Sequence, residues 1–289
     1  MSQNMQGKIC LITGASLGIG KETALGLARR GAQVVIAGRD ADRTRAAADW
    51  IGREAGAKQV AFLLADLSSQ ADVRRLAREF KDKYSRLDVL VNNAGAIFTR
   101  RETTADGFER TWALNHLSYF LLTQELLGLL KASAPARIVN VASTMHTGGV
   151  IDFDNLQGEK SYGGIRAYSQ SKLANVLFTY ALARRLEATQ ITANCLHPGG
   201  VATGLGQKTP GALKLLLRLA RPFLTTAEQG ATTSIYLASS ADVEGASGMY
   251  FAKCKPAHSS TASHDGALQE RLWELSLRQI GQGKAADPV

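Results

Sequence analysis

Short apolar runs rich in β-branched residues alternate along the chain with longer stretches whose apolar positions recur with a helical period. The runs predict seven strands, at 8–13, 33–37, 59–65, 87–92, 137–142, 191–197 and 248–251. The stretches between them predict helices that begin at Gly20, Ala41, Gln70, Asp106, Arg166 and Thr226, followed by a last amphipathic helix at 265–281. Because strands that alternate with helices build βαβ units, the pattern predicts an α/β fold, with a doubly wound, seven-stranded parallel sheet and helices on both faces.

Two stretches, 145–165 and 204–225, interrupt this alternation, and both follow the end of a predicted strand. Ligands of doubly wound sheets bind outside the carboxyl ends of the strands, so 204–225 is predicted to be a substrate lid. Within it, 213–224 has a basic face and an opposing apolar face, formed by Lys214, Arg218 and Arg221 and by Leu213, Leu216, Leu217 and Ala220. Three roles are open for this helix. It covers an apolar substrate, or it covers the substrate and also makes peripheral contact with an anionic membrane, or it packs into the core.

Length and composition favour a single domain over 1–289, because 289 residues with 45% hydrophobic content can form one large core. The chain has no apolar run of about 18 residues and a polar first segment, so we expect a soluble, cytoplasmic protein. The net charge of +9 comes from scattered arginines and lysines, a pattern that favours a solvated surface over a nucleic-acid partner.

Cysteine and histidine spacings do not suggest a metal site. Cys10, Cys195 and Cys254 are an odd number at unrelated spacings, and the first two lie in apolar runs, so buried free thiols are expected. His116, His146 and His197 share no ligand spacing.

A glycine-rich junction joins the first strand to the first helix. The glycines follow the spacing G-x-x-x-G-x-G, and the predicted cofactor-binding residues of this junction are Gly14, Ser16, Leu17, Gly18, Ile19 and Gly20. A tight turn that exposes the amides of a helix N-terminus suits a pyrophosphate, although glycines alone also serve close packing. In this context the junction predicts dinucleotide binding in a Rossmann-type fold.

The end of the second strand carries Arg39 followed by Asp40. A guanidinium pairs with a 2′-phosphate, whereas a carboxylate at this place would favour the ribose 2′-hydroxyl of NAD(H). Asp40 is interpreted as the N-cap of the helix from Ala41, so NADP(H) is predicted over NAD(H), with Arg43 as a possible second contact.

Two further strand ends are predicted to contact the cofactor. Asp66 and Leu67 follow the third strand, where Asp66 either accepts from the adenine amino group or caps the next helix. Asn93, Ala94 and Gly95 close the fourth strand, where small residues allow close approach and asparagine amides can tie neighbouring loops.

Tyr168 and Lys172 are four residues apart on a predicted helix, which places them one turn apart on the same face. A tyrosine proton normally leaves near pH ~10, and an adjacent ammonium is expected to lower that pKa. A phenol tuned in this way, beside a dinucleotide, indicates carbonyl and alcohol redox chemistry.

These motifs resemble the short-chain dehydrogenase/reductases over almost the whole chain. The resemblance lies in Thr13-Gly14-x-x-x-Gly18-x-Gly20, Asn92-Asn93-Ala94-Gly95, Asn115, Ser143, Tyr168-x-x-x-Lys172 and Pro198-Gly199. Residues 18–24, 115–118, 167–175 and 248–251 are most similar to the retinol dehydrogenase-like branch.

The resemblance implies the roles of the site residues. Tyr168 is the expected acid and base, Lys172 also holds the nicotinamide ribose, Ser143 polarises the substrate oxygen, and Asn115 holds a water that links Lys172 to solvent. Four residues of the loop after the sixth strand are expected to surround the nicotinamide, namely Pro198, Gly199, Val201 and Thr203.

The predicted function is an NADP(H)-dependent oxidoreductase for apolar aldehydes, ketones or alcohols, with retinal and retinol among the candidate substrates. The alternative is a non-catalytic NADP(H)-sensing protein on the same fold. The helices at 106–130 and 166–187 resemble the pair that forms dimers in the family, so a homo-oligomer is expected.

Overall fold

Residues 4–56, 60–200 and 225–282 are described by the computed structural model. Their strands form one sheet of order β3-β2-β1-β4-β5-β6-β7-β8, in which neighbours among the first seven strands are parallel. The strands are β1 Ile9–Thr13, β2 Gln33–Gly38, β3 Ala61–Leu64, β4 Val89–Asn92, β5 Ala136–Val141, β6 Ile191–His197, β7 Tyr250–Ala252 and β8 Lys255–Pro256. The predicted doubly wound α/β fold is therefore confirmed.

The eighth strand is a difference from the seven predicted. β8 pairs antiparallel with β7 across a two-residue turn, in which Lys253 and Cys254 have φ of 51° and 59°. A two-residue hairpin turn with positive φ at both positions is of the type I′ class, which asparagine and glycine adopt most easily. A Lys-Cys pair carries no such signal, so the sequence pattern did not reveal this hairpin.

Helices cover both faces of the sheet. They are α1 Gly18–Ala28, α2 Ala41–Ala55, α3 Gln70–Lys83, α4 at 110–132, α5 Gly164–Arg185, α6 Ala227–Ser239 and α7 Gly266–Gln279. The helix predicted from Asp106 begins instead at Arg110, because the buried Glu109 carboxylate accepts from the amides of Thr111 and Trp112 and caps it there. Thr226 and Asp265 are the N-caps of α6 and α7.

The core follows from the two-residue period of the strands. All five residues of β1 are buried; Ile9 and Leu11 pack with α3, α4 and α5, whereas Cys10 and Ile12 pack with α1, α2 and α6. Both faces of the strand are apolar because helices cover both sides of the sheet. This burial orders the strand ends from which the site residues project.

The C-terminal helix α7 packs on the helix pair that was expected to form a dimer. The Trp273 ring lies 4.9 Å from that of Phe120 on α4 and 5.9 Å from that of Phe178 on α5, measured between centroids. Every residue of α5 from Tyr168 to Ala183 is buried within this one chain. The surface predicted for oligomer formation is thus at least partly covered by the chain itself.

Candidate active site

Asn115, Ser143, Tyr168 and Lys172 meet at the carboxyl end of the sheet. Ser143 follows β5 by two residues, and its hydroxyl is close enough to that of Tyr168, on α5, to favour the phenolate. The Lys172 Nζ donates to the carbonyl of Val141 at 2.9 Å and lies 5.5 Å from the centroid of the Tyr168 ring. All four residues are buried. The structure therefore brings together the four residues that the sequence predicted to be catalytic.

Burial dominates the protonation of the pair on α5. It raises the pKa of Tyr168 to about 12, although the hydrogen bond with Ser143 acts in the opposite direction, and it lowers the pKa of Lys172 to about 7. Lys172 was expected to lower the Tyr168 pKa, but the effect of burial on the phenol is larger, and the pKa is raised. Burial also disfavours the charged form of Lys172, which weakens the positive charge beside the tyrosine.

Asn115 lies in a π-helical turn, Ala113–Leu117, inside α4. Its side chain is tied on both sides: Oδ1 accepts from the amide of Ala96 at 2.9 Å, and Nδ2 donates to the carbonyl of Ala96 and to the Ser171 hydroxyl, each at 3.0 Å. Such turns are rare in proteins, and those that occur are often found at functional sites. The turn fixes the Asn115 side chain between the loop after β4 and helix α5.

Asn175 was missed by the sequence analysis. Its Nδ2 donates to the Asn115 backbone carbonyl at 2.8 Å. A wider helical turn alters the usual backbone pairing, and the Asn175 amide satisfies the carbonyl. The only available signal was an asparagine inside an apolar helix, which needs a polar partner when buried.

His116, next to Asn115, connects the π-helical turn to α7. Its Nε2 lies 2.9 Å from the Ser276 hydroxyl oxygen, and burial lowers its pKa to about 3. Its Nδ1 lies 3.4 Å from the amide oxygen of Asn175, and the Ser276 hydroxyl also lies 2.8 Å from the carbonyl of Leu272. A neutral His116 therefore links the C-terminal helix to the turn that carries Asn115.

The glycine-rich turn between β1 and α1 is suited to a phosphate group. Gly14 and Gly18 have φ of 64° and 59°, and a Cβ at Gly14 would lie 2.7 Å from the Ala94 Cα. Helix α1 has no side-chain N-cap bond and no acidic residue in its first turn, and Leu17 is 44% exposed. Ser16 is partly exposed, whereas Ile19 and Gly20 are buried beneath the turn.

The loop after β4 supports the glycine turn. Asn93 Nδ2 donates to the carbonyls of Thr13 and Gly14 at 2.8 and 3.2 Å. A Cβ at Gly95 would lie 3.3 Å from Asn115 Oδ1 and 3.4 Å from Lys172 Nζ. The predicted role of the asparagine amide in tying loops together agrees with these contacts, and the loop joins both ends of the site.

Arg39 and Asp66 lie at the ends of neighbouring strands. Their side chains are 3.4 Å apart, with 60% of the Arg39 side chain exposed. Partial burial opposes ionisation of Asp66, but hydrogen bonds from Ser68 and the Arg39 guanidinium hold its pKa below the ordinary value. Asp66 is not the N-cap of α3, because Ser69 has that place. Leu67 is buried beside it.

Asp40 is the N-cap of α2, as predicted. Its carboxylate accepts from the Arg43 amide at 2.9 Å, and the Arg43 guanidinium lies 3.4 Å from it. The carboxylate is thereby committed to the helix end, which leaves Arg39 as the exposed charge at the end of β2.

Pro198 and Gly199 follow β6 and are partly exposed at the same edge of the sheet. Gly199 has φ of 92°, so a side chain there would be strained. Val201, Thr203, the predicted lid from 204 and the basic helix at 213–224 lie outside the described residues.

Comparison with known proteins decides the family. The model of the family described as short chain dehydrogenase matches residues 8–213. The chain belongs to the short-chain dehydrogenase/reductases. It is 45% identical to human retinol dehydrogenase 14 over 96% of this chain and 87% of that protein, which places it in the retinol dehydrogenase-like branch.

Solved structures of this family have the same fold. An uncharacterised protein from Mycobacterium paratuberculosis is 34% identical, with a TM-score of 0.80 over 98% of this chain and 96% of its own. The NADP complex of Pseudomonas aeruginosa RhlG is 29% identical, with a TM-score of 0.70 over 92% and 98% of the two chains. As a short-chain dehydrogenase/reductase, the chain is an oxidoreductase of a family that uses nicotinamide cofactors and acts on small substrates.

A second cleft, of about 670 Å3, lies at the amino ends of β1, β4, β5 and β6, on the other edge of the sheet from Tyr168. Three of its charged groups are engaged with the protein: Asp88 accepts from Lys8 and Arg86, and the Arg137 guanidinium donates to the carbonyls of Leu237 and Ser240. This cleft lies apart from the four residues that the sequence predicted to be catalytic.

Across residues 4–56, 60–200 and 225–282, no three histidine, cysteine or acidic side chains cluster in a way that could hold a metal ion. Among the helices of those same ranges, none is sufficiently long and apolar to span a membrane. Cys10 and Cys195 are buried free thiols, and Cys254 is a partly exposed one.

Proposed function

We propose that this chain is an NADP(H)-dependent oxidoreductase that interconverts apolar aldehydes or ketones and their alcohols, with Tyr168 as the acid and base. The observation that carries the proposal is the buried cluster in which the Ser143 hydroxyl neighbours that of Tyr168 and the Lys172 Nζ lies 5.5 Å from the centroid of the tyrosine ring. Two hydroxyls that converge on one point can both contact a single substrate oxygen.

The protonation state of Tyr168 at neutral pH suits the role of acid in carbonyl reduction. With a pKa of about 12 the residue is a neutral phenol, so it can donate its proton to a carbonyl oxygen as hydride arrives at the carbon. Ser143 then donates a hydrogen bond that polarises the carbonyl, and Lys172 in its protonated form stabilises the resulting tyrosinate. NADP(H), when bound, supplies or accepts the hydride.

The residues of this chain fit NADP(H). The turn at Gly14 leaves no space for a side chain, and the first turn of α1 carries no acidic residue that would repel a phosphate. Arg39 is exposed at the end of β2, whereas Asp40 is engaged as a helix cap. A guanidinium at this place favours a 2′-phosphate, so we propose NADP(H) over NAD(H).

The substrate class rests on two supports. The first is the similarity to human retinol dehydrogenase 14, which is named for an apolar alcohol. The second is the predicted lid, with its leucine face at 213–224. We propose retinal-like aldehydes as candidates, together with other apolar carbonyl compounds.

The proposal is tested by following NADPH oxidation with a panel of apolar aldehydes and ketones, and by replacing Tyr168 with Phe. We expect turnover by the wild type and loss of turnover in Tyr168→Phe, with NADPH binding retained. Tyr84→Phe serves as the control, because Tyr84 ends α3 outside the site. Turnover that persists in Tyr168→Phe would contradict the assignment of the acid.

The second candidate function is a non-catalytic NADP(H)-sensing protein. The convergence of all four side chains weighs against it, because a binding protein needs no acid, base or oxyanion contact. NADPH binding by the wild type without turnover across the whole panel would favour this alternative.

A further inference from the structure

Two histidines hold the peptide group that follows Ser143. His146 Nδ1 lies 2.6 Å from the Ser143 carbonyl oxygen, and the amide of Thr144 donates to His197 Nδ1 at 3.2 Å. The carbonyl of Ser143 and the amide of Thr144 belong to one planar peptide unit. Both polar ends of this unit are therefore held by imidazole nitrogens, one from the segment after β5 and one from the end of β6.

The hydrogen-bond partners assign opposite tautomers to the two rings. His146 Nε2 accepts from the amide of Ser260 at 3.0 Å, so its proton is on Nδ1, which donates to Ser143. His197 Nδ1 accepts from the amide of Thr144, so its proton in the neutral ring is on Nε2. Protonation of either ring at its accepting nitrogen would remove one of these contacts.

The surroundings favour neutral rings. Burial lowers the pKa of both histidines, and the nearby His146 lowers that of His197 further. The Tyr250 ring lies 4.8 Å from the His146 ring, measured between centroids, and burial raises the pKa of Tyr250. Cys195, Tyr180, Tyr168 and Lys172 lie on the neighbouring strand and helix, and none of them is a carboxylate that would favour an imidazolium.

We propose that His146 and His197 are positioning residues that fix the peptide plane after Ser143 and so aim its hydroxyl at Tyr168. His197 directly precedes Pro198 and Gly199, so the same contact couples the Ser143 loop to the loop predicted to surround the nicotinamide. The expected effect of the two histidines on turnover rests on the proposed function, whereas the tautomers of their rings do not depend on it.

The first experiment needs no activity. Imidazole 15N chemical shifts of the intact chain at pH 7 distinguish the two neutral tautomers, and single His→Gln variants assign the signals. We expect Nδ1–H for His146 and Nε2–H for His197. A reversed tautomer or an imidazolium at either position at pH 7 overturns the proposal, whatever the enzymatic result.

The second experiment compares apolar and hydrogen-bonding replacements. We expect His146→Leu and His197→Leu to lower kcat at least about tenfold, which corresponds to about 1.4 kcal/mol, with KM for NADPH changed less than about twofold. In His146→Asn an amide N–H replaces Nδ1–H, and in His197→Asn an amide oxygen replaces the accepting nitrogen, so both should recover part of kcat. His258→Asn, at an exposed histidine, is the control.

The outcomes separate the two proposals. A positioning role is contradicted if kcat is unchanged in both leucine variants. It is also contradicted if the leucine and asparagine variants lose kcat equally and the loss matches the fraction of unfolded protein. If the wild type binds NADPH but never turns over, the proposed function fails, while the tautomer measurement still decides whether the histidines hold the peptide as described.

Discussion

Asn175 donates a 2.8 Å hydrogen bond from its Nδ2 to the backbone carbonyl of Asn115, in the π-helical turn of α4. Asn175 lies three residues after Lys172 on α5, so one helix carries the lysine and also fixes the turn that presents the asparagine. The geometry of the four site residues thus depends on a fifth residue that touches no reacting atom.

Replacing Asn175 with Leu should reduce both stability and activity. The variant leaves a buried carbonyl unsatisfied, which costs about 1–3 kcal/mol of unfolding free energy. It also frees the π-helical turn, so we expect kcat to fall about tenfold or more. Chemical unfolding and steady-state NADPH oxidation measure the two effects, and Asn175→Asp, which keeps the shape without the donor, should not restore kcat. A kcat within twofold of wild type in the Leu variant would contradict this role.

Replacing Arg39 with Ala should weaken NADPH selectively. Loss of a charge-assisted contact with a 2′-phosphate costs about 1.5–3 kcal/mol, so KM for NADPH should rise roughly 10- to 100-fold while KM for NADH changes little. Arg53→Ala is the matched control, because this exposed arginine lies in the last turn of α2, at the helix end away from β2. Equal changes for the two cofactors would argue against recognition of the phosphate by Arg39.

Lys172 should make folding stability depend on pH. Burial lowers its folded pKa to about 7, from the ordinary value of 10.5, so the unfolded chain binds more protons between these two values. Stability therefore rises with pH from about 7 to about 10.5, by at most about 1.4 kcal/mol per pH unit from this group. Below pH 7 both states are protonated and this slope disappears.

The measurement compares urea unfolding of the wild type and of Lys172→Met at pH 7, 8 and 9. The methionine keeps much of the side-chain length but has no titrating group. Because both proteins contain the same cysteines, subtracting their unfolding free energies removes the pH dependence that the cysteines cause. We expect the difference in unfolding free energy to change in favour of the wild type as the pH rises. A difference that is constant with pH would show that Lys172 does not titrate in this range.

Replacing Trp273 with Ala should uncover the α4 and α5 surface. Removal of a fully buried tryptophan costs about 3–5 kcal/mol, and we expect about 2 kcal/mol here because the ring is only partly buried. The exposed Phe120 and Phe178 should then promote self-association, which sedimentation velocity detects. Glu274→Ala, at an exposed neighbour, should change neither quantity. Unchanged stability in the tryptophan variant would show that α7 does not cover this surface in solution.

Much of the fold could be predicted from the sequence because it depends on local patterns. β-branched apolar runs and helical periods gave the order of the elements, and the glycine turn together with Tyr168 and Lys172 gave the chemistry. The start of α4 was wrong by four residues, since the cap is formed by Glu109, a residue that also bonds the Tyr162 hydroxyl from a distant segment. No local signal marks such a cap.

By itself, the sequence determined which residues could do chemistry, because residue type and spacing fix what a side chain can donate, accept or stabilise. Only the tertiary structure decided the protonation states of these side chains and the partners that they contact. The depressed pKa of Lys172 comes from desolvation by residues far apart in the chain, and the contacts of Asn175 with Asn115 and of His197 with Thr144 join segments more than fifty residues apart. Burial and long-range hydrogen bonding are properties of packing, which no local pattern encodes.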